Sequence, residues 1–363
     1  MKIRAHLESL PPYIPIEPFE VLSARIGRAP SQIVKLDANE NPYGPLPVVR
    51  EALGKLDFPH IYPDPESRAL RKSLALFTGV DEEYLLAGSG ADELIDLLMR
   101  VLLEPGECIL SCPPTFGMYS FDSELNAACC IEVSRKSDFS LDTESIRKAV
   151  ETYQPKILFI ASPNNPDGSL LDSKILDELL SLPLLVVLDE AYIEFAGENL
   201  GASLSRIRDV PTRDNLVVLR TFSKWAGLAG LRIGYGAFPK WLMPTLWKSK
   251  QPYNVNVAAS VAAQVSLEHA DELVEVVERL KNERARLFLA LQEIPYLEPY
   301  PTKSNFILCR VIDRDAAELK SRLAQEHGIF IRYFNQPGLR DHIRISVGRP
   351  QDTDRLVEAL KLL

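Results

Sequence analysis

The stretch Leu184-Leu185-Val186-Val187-Leu188-Asp189-Glu190-Ala191-Tyr192 decides how the chain folds. Its first five residues are apolar without alternation, which predicts a strand covered on both faces, as in a parallel sheet. Its last four deliver two carboxylates and a tyrosine to the strand's carboxyl end. Two further runs share the pattern, Lys156-Ile157-Leu158-Phe159-Ile160 and Asn215-Leu216-Val217-Val218-Leu219, with helix-like segments between them such as Asp172 to Leu182. Short β-branched runs alternate with amphipathic stretches from about residue 35 to 250, which predicts a doubly wound α/β domain with a mostly parallel sheet.

The flanks differ. Residues 1–34 are rich in proline (Pro11, Pro12, Pro15, Pro18, Pro30) and read as an arm laid on a surface, together with part of a small domain. Residues 35–256 form the large domain. From 257 to 363 a long, mostly helical stretch, Val257 to Leu291, precedes strand-like Asn305–Cys309, helical Asp315–Gln325, strand-like Ile329–Arg332 and His342–Val347, and a closing helix from Asp352. With no βαβ run evident, this part predicts a smaller α+β domain.

Composition narrows the function. Among 363 residues, Lys plus Arg total 41 against 50 for Asp plus Glu, so the net charge is −9. That balance argues against a nucleic-acid partner, which calls for a basic face. No run approaches the roughly 18 apolar residues of a spanning helix, and Met1 to Glu8 carries no apolar stretch of signal-peptide kind. A cytoplasmic enzyme or binding protein is expected, without a membrane partner. The five cysteines contain no CxxC pair; Cys108, Cys129, Cys130 and Cys309 sit among apolar residues and read as small core hydrophobes. The five histidines contain no HExxH, so no protein metal site is expected.

In an open α/β sheet, ligands collect beyond the carboxyl ends of the strands. After Ile160 comes Ala161-Ser162-Pro163-Asn164-Asn165-Pro166-Asp167-Gly168; after Leu188 come Asp189 and Tyr192; after Leu219 come Ser223, Lys224 and, further on, Arg232. Taken singly, Asn-Pro with a following Gly is a turn and a lysine beyond a strand is a surface residue. Together they deliver Asn, Asp, Tyr, Ser and Lys to one sheet edge. An apolar run ending in Asp-Glu also resembles a Walker B strand, but GxxxxGK[ST] is absent, which removes the NTPase reading. Gly88-Ser89-Gly90-Ala91-Asp92-Glu93 opens an amphipathic helix and reads either as a phosphate loop or as an ordinary helix start. Glu93 occupies the third glycine position of a dinucleotide fingerprint, so a nicotinamide enzyme is weakly supported. A lysine, an aspartate and a tyrosine around a phosphate suit pyridoxal phosphate, whose aldehyde takes an amine and whose ring nitrogen needs a carboxylate.

The motifs SPNNPDG, VVLDEAY, TFSKWAGLAGLRIGYG, LDANENPYGP, IYPDPES and HIRISVG run in order along the chain, and it resembles the fold-type-I pyridoxal-phosphate-dependent aminotransferases. With LPPYIP, GADELI, QPYNVN and IFIR it resembles, more narrowly, the histidinol-phosphate aminotransferase family. The resemblance implies a Schiff base on Lys224, Asp189 against the pyridine nitrogen, and Tyr192 and Asn165 on the 3-oxygen. It implies Ser89, Ala91, Asp92, Ser223 and Arg232 around the cofactor phosphate, with Tyr62 arriving from the neighbouring subunit of a homodimer. Phe116, in PTFGMY, stands where the family usually stacks a tyrosine on the ring. Arg344 is implied for a substrate carboxylate, and Arg332 for the substrate phosphate with help from Tyr13 and Tyr253. Asn39 and Asn41 read either as lining the site mouth or as a turn before Pro42. The implied reaction exchanges an amino group between histidinol phosphate and 2-oxoglutarate, giving imidazole acetol phosphate and glutamate. Three alternatives are an aromatic-amino-acid aminotransferase, a threonine-phosphate decarboxylase and a non-catalytic pyridoxal-phosphate sensor. The sensor needs a DNA-binding segment, which neither length nor acidic charge supplies.

Overall fold

A computed structural model describes residues 2–8, 10–12 and 16–363. Twelve strands occur among them: β1 (Val34–Leu36), β2 (Leu85–Gly88), β3 (Cys108–Ser111), β4 (Cys129–Glu132), β5 (Ile157–Ala161), β6 (Leu185–Asp189), β7 (Leu216–Thr221), β8 (Gly234–Ala237), β9 (Leu297–Pro299), β10 (Phe306–Val311), β11 (Ile329–Tyr333) and β12 (His342–Ser346). They form two sheets. The larger has the order β2-β8-β7-β6-β5-β3-β4, with β8 alone running against its neighbours. The smaller has the order β1-β11-β12-β10-β9.

The apolar runs explain the layering. Along β5, Leu158 and Ile160 enter one core cluster while Ile157 and Phe159 enter another; on β6, Val186 and Leu188 part from Leu185 and Val187 in the same way. Residues alternate across a strand, so an unbroken apolar run fills the space above and below the sheet. One face is covered by the helices Ala91–Leu102, Met118–Leu125 and Met243–Ser249, the other by Arg68–Thr78, Thr143–Tyr153, Ser173–Leu180 and others. Local signals set the helix ends. Asp172 accepts the Lys174 N–H at 2.8 Å to start one helix. Gly328, at φ +68°, stops Ala316–His327 in the left-handed conformation that favours glycine.

One expectation is refined and two are corrected. The stretch Val257 to Leu291 is two helices, Val257–Glu268 and Ala270–Gln292, divided at His269, where acidic Asp271 and Glu272 open the second. In the smaller sheet β10 and β11 are both antiparallel to β12, hence parallel to each other across the helix Ala316–His327. A split βαβ unit is therefore present, masked in the sequence because β12 follows β11 yet inserts between the pair. Cys108 and Cys129 are not core hydrophobes. They are half-buried register partners on β3 and β4 and form a disulfide, while Cys130 is half-buried and Cys112 and Cys309 are buried thiols. Only the non-local pairing of β3 with β4 brings residues 108 and 129 together, and no local spacing announces it. No described helix is long and apolar enough to cross a membrane.

Candidate active site

The carboxyl ends of β5, β6 and β7 lie side by side, with Ala161 paired to Asp189 and Asp189 to Leu219. Their following loops therefore rise from one edge and enclose a cleft of about 680 Å³, part of it open to solvent. Asn165, Asp189, Tyr192, Ser223 and Lys224 line it from these loops, and Phe116, Ala91, Asp92 and Arg232 close its other sides.

Asp189 ends β6 and is 5% exposed. Its Oδ2 accepts the Tyr119 hydroxyl at 2.7 Å and its Oδ1 accepts the Ala191 N–H at 3.0 Å. Burial raises its carboxyl to about 6; the two donors pull the other way and the charge of Asp92 adds to the rise. Such a group ionises fully once a cation stands against it. Burial, with the Asp189 charge, also pushes the Tyr119 phenol far upward, so it stays a donor. Tyr119 stacks on Phe159 at 4.9 Å and meets Phe116 edge-on at 5.6 Å, which ties the carboxylate to the aromatic wall.

Lys224 projects from a tight turn after β7. The Ser223 N–H donates to Thr221 Oγ1 at 3.1 Å, and the indole of buried Trp225 donates to the Thr221 carbonyl at 2.9 Å. The lysine amine donates to the Ala38 carbonyl at 3.1 Å and lies 6.0 Å from the centre of the Tyr192 ring.

An anion cradle forms the far end. The helix Ala91–Leu102 starts after Gly90, whose φ is +85° and whose hypothetical Cβ would sit 2.7 Å from Arg232 Nη2. Arg232 Nη2 pairs with Asp92 Oδ2 at 2.7 Å. Unsatisfied N–H groups, the helix dipole and a guanidinium thus converge where a phosphate would bind. Ser89 is not on the cleft wall: its N–H donates to Glu93, which also accepts Asn254 Nδ2 at 2.8 Å.

Arg344, on β12 and 5% exposed, donates to Asn165 Oδ1 and to the Asp37 carbonyl at 2.8 Å, so it reaches the cleft through Asn165. Arg332 stands across from it on β11, and the Phe334 ring lies 5.8 Å from the Arg332 guanidinium and 5.6 Å from that of Arg344. Tyr62 and Tyr253 lie away from the cleft of their own chain, stacked on each other at 4.7 Å, with Tyr62 79% exposed. Tyr13 lies outside the described residues. The two asparagines separate: Asn41 braces the turn, donating to the Trp225 carbonyl at 2.9 Å and accepting the Tyr43 N–H at 3.0 Å, whereas Asn39 donates to the Tyr192 hydroxyl at 3.0 Å.

Sequence reasoning passed over Tyr119 and Thr221. Tyr119 follows Phe116 by three residues, at the start of the helix Met118–Leu125, and its closeness in sequence to a ring-stacking position was the available signal. The donor set fits pyridoxal phosphate on chemistry alone: a primary amine, a buried carboxylate, an aromatic wall, hydroxyl and amide donors, and an anion cradle in which a Cβ at Gly90 would crowd Arg232.

Comparison with known proteins gives the same answer. The family model described as Aminotransferase class I and II matches residues 31–360. A chloroplastic histidinol-phosphate aminotransferase of Nicotiana tabacum is 56% identical over 360 residues, covering 99% of this chain and 86% of its own. The histidinol-phosphate aminotransferase of Roseiflexus castenholzii is 50% identical over 367 residues, covering 99% of this chain and 97% of its own. The crystal structure of histidinol-phosphate aminotransferase from Sinorhizobium meliloti in complex with pyridoxal-5'-phosphate superimposes with a TM-score of 0.89 at 28% identity, covering 99% of this chain and 98% of that one. With identity this high along nearly its whole length, the chain belongs to the histidinol-phosphate aminotransferase family of the class I and II aminotransferases.

Proposed function

We propose that the protein exchanges an amino group between histidinol phosphate and 2-oxoglutarate, giving imidazole acetol phosphate and glutamate, as a step of histidine biosynthesis. The observation that carries this reading is one cleft lined by the Lys224 amine, the buried Asp189 carboxylate and the Arg232 anion cradle. Bound pyridoxal phosphate supplies a carbonyl carbon for the substrate's amino group and a ring that accepts the electron pair released at the substrate's α-carbon.

The chain's residues do the rest. Lys224 is the amine that holds the cofactor and, once released by substrate, moves the proton at the α-carbon. Asp189, fixed by Tyr119 and the Ala191 N–H, keeps a proton on the ring nitrogen. Tyr192 and Asn165 bond the 3-oxygen, and Phe116 supplies the ring-stacking face. Ala91 and Asp92 by their N–H groups, with Ser223 and Arg232, hold the cofactor phosphate. Arg344 takes the carboxylate of glutamate; Arg332, with Tyr253 and Tyr13 contributing partly across the dimer interface, takes the phosphate of histidinol phosphate or the distal carboxylate.

The working unit in this proposal is a homodimer in which Tyr62 reaches the partner's cofactor phosphate. Its support is the exposed Tyr62–Tyr253 stack, neither ring of which lines the cleft of its own chain. We also propose the division into an arm (1–34), a large domain (35–256) and a small domain (257–363), with β1 of the smaller sheet falling at the first boundary. The reaction is placed in the cytoplasm, although the tobacco relative is named as chloroplastic.

The test is an amino-transfer assay of the loaded protein with histidinol phosphate, phenylalanine and threonine phosphate, separately. Turnover of histidinol phosphate far above the other two is expected. Turnover of phenylalanine without histidinol phosphate contradicts the assignment.

A further inference from the structure

Asn39 and Ser346 occupy distant parts of the chain, yet both are almost wholly buried, at 1% and 2% exposed, and they bond twice. The Asn39 N–H donates to Ser346 Oγ at 2.8 Å, and Ser346 Oγ lies 2.9 Å from Asn39 Oδ1. The Asn39 carbonyl accepts Asn305 Nδ2 at 2.9 Å, and Asn39 Nδ2 lies 3.0 Å from the Tyr192 hydroxyl.

Donor and acceptor counting gives this network a direction. Ser346 Oγ accepts the Asn39 N–H and gives its single proton to Asn39 Oδ1. The amide must then turn Nδ2 toward Tyr192. Rotating it by half a turn would bring two donors onto Ser346 Oγ and leave the serine proton without this acceptor, in a place water does not reach. Since Nδ2 can only donate, the Tyr192 oxygen accepts, and its own proton is free to point into the cleft that the side chain lines.

We propose that Asn39 and Ser346 are positioning residues that fix the direction of the Tyr192 hydroxyl proton, so that Tyr192 donates into the cleft to an oxygen of the bound cofactor. Two features show a built arrangement. Asn39 sits at φ +56°, a left-handed conformation that asparagine tolerates and most side chains resist. Ser346 is two residues beyond Arg344 and shares its face of β12, so the strand that carries the anion-binding guanidinium also sets the polarity of the hydroxyl on the cofactor side.

The inference rests on the pyridoxal-phosphate reading above. The experiment uses the cofactor-loaded protein and reads two quantities besides turnover: the pH midpoint of the visible absorption change, and the dissociation constant for pyridoxal phosphate. Asn39→Asp keeps the left-handed residue and the acceptor for Ser346, but presents an acceptor to Tyr192 and draws its proton out of the cleft. The cofactor's 3-oxygen then loses a donor, and its undispersed charge holds the proton on the neighbouring nitrogen more tightly. The midpoint moves up by about one pH unit, and affinity for the cofactor falls by up to about tenfold, the worth of one hydrogen bond. Ser346→Ala moves both quantities the same way by less, because the amide can then turn either way; Ser346→Thr, which keeps the hydroxyl, restores wild-type values. A wild-type midpoint and affinity in Asn39→Asp, or a Ser346→Thr shift as large as that of Ser346→Ala, would overturn the relay. A wild-type protein that develops no visible band with pyridoxal phosphate would overturn the cofactor reading and this inference with it.

Discussion

Arg332 and Arg344 stand directly opposite one another on the antiparallel pair β11 and β12, on the same face of the smaller sheet. Like charges directly opposite destabilise a sheet, so the pair makes sense around an anion. Arg344 is held by Asn165 and the Asp37 carbonyl, whereas Arg332 lies against the Phe334 ring. Arg332→Ala is therefore expected to weaken substrates with an anionic side chain, histidinol phosphate above all, and to spare those with an uncharged one. A charge-assisted contact is worth about 1.5–3 kcal/mol, roughly ten- to a hundredfold in kcat/KM. Equal losses on histidinol phosphate and on an amino acid with an uncharged side chain would show that the residue only supports the fold.

Asp189 makes a prediction in the cofactor-free protein. Burial raises its carboxyl from the ordinary 3.8 to about 6, so the folded chain holds a proton that the unfolded chain has released. Stability from this group therefore falls as pH rises from about 4 to about 6 and is level above, a loss of roughly 3 kcal/mol. Asp189→Asn cannot ionise and avoids that loss. Denaturant titration should show the variant gaining on the wild type across this interval while binding pyridoxal phosphate more weakly. A stability difference that does not change with pH would contradict the assigned environment.

The Tyr62 proposal is tested by mixing chains. A Tyr62→Ala chain keeps its own Lys224, and a Lys224→Ala chain keeps an intact Tyr62 to offer. Unfolded together and refolded, the two should recover activity in the mixed dimer, approaching about one quarter of the wild-type level at random association. No recovery above the sum of the separate variants would place Tyr62 in its own chain's site or in none.

Much of this was legible because burial and chemistry coincide along single strands. The unbroken apolar runs of β5, β6 and β7 announce a sheet covered on both faces, and the polar residues at their ends are the ones the cleft gathers. What escaped reading depends on non-local register. The Cys108–Cys129 disulfide exists because β4 pairs with β3 in one alignment, and a one-residue slip would separate the two thiols. β12 inserts between β10 and β11 against chain order, which hid both the split βαβ unit and the meeting of Arg332 with Arg344. Tyr119 carries the signature of a core aromatic and is one by burial; its hydroxyl contact with Asp189, which no local spacing fixes, makes it part of the site.

If the amine of Lys224 is the cofactor's covalent attachment point, chemical reduction fixes the cofactor there. The loaded protein is treated with borohydride, digested, and its peptides are weighed. A single phosphopyridoxyl label is expected on the peptide containing Lys224, absent together with the visible band and turnover in a folded Lys224→Ala protein. A label on another lysine, or turnover retained without Lys224, would contradict it.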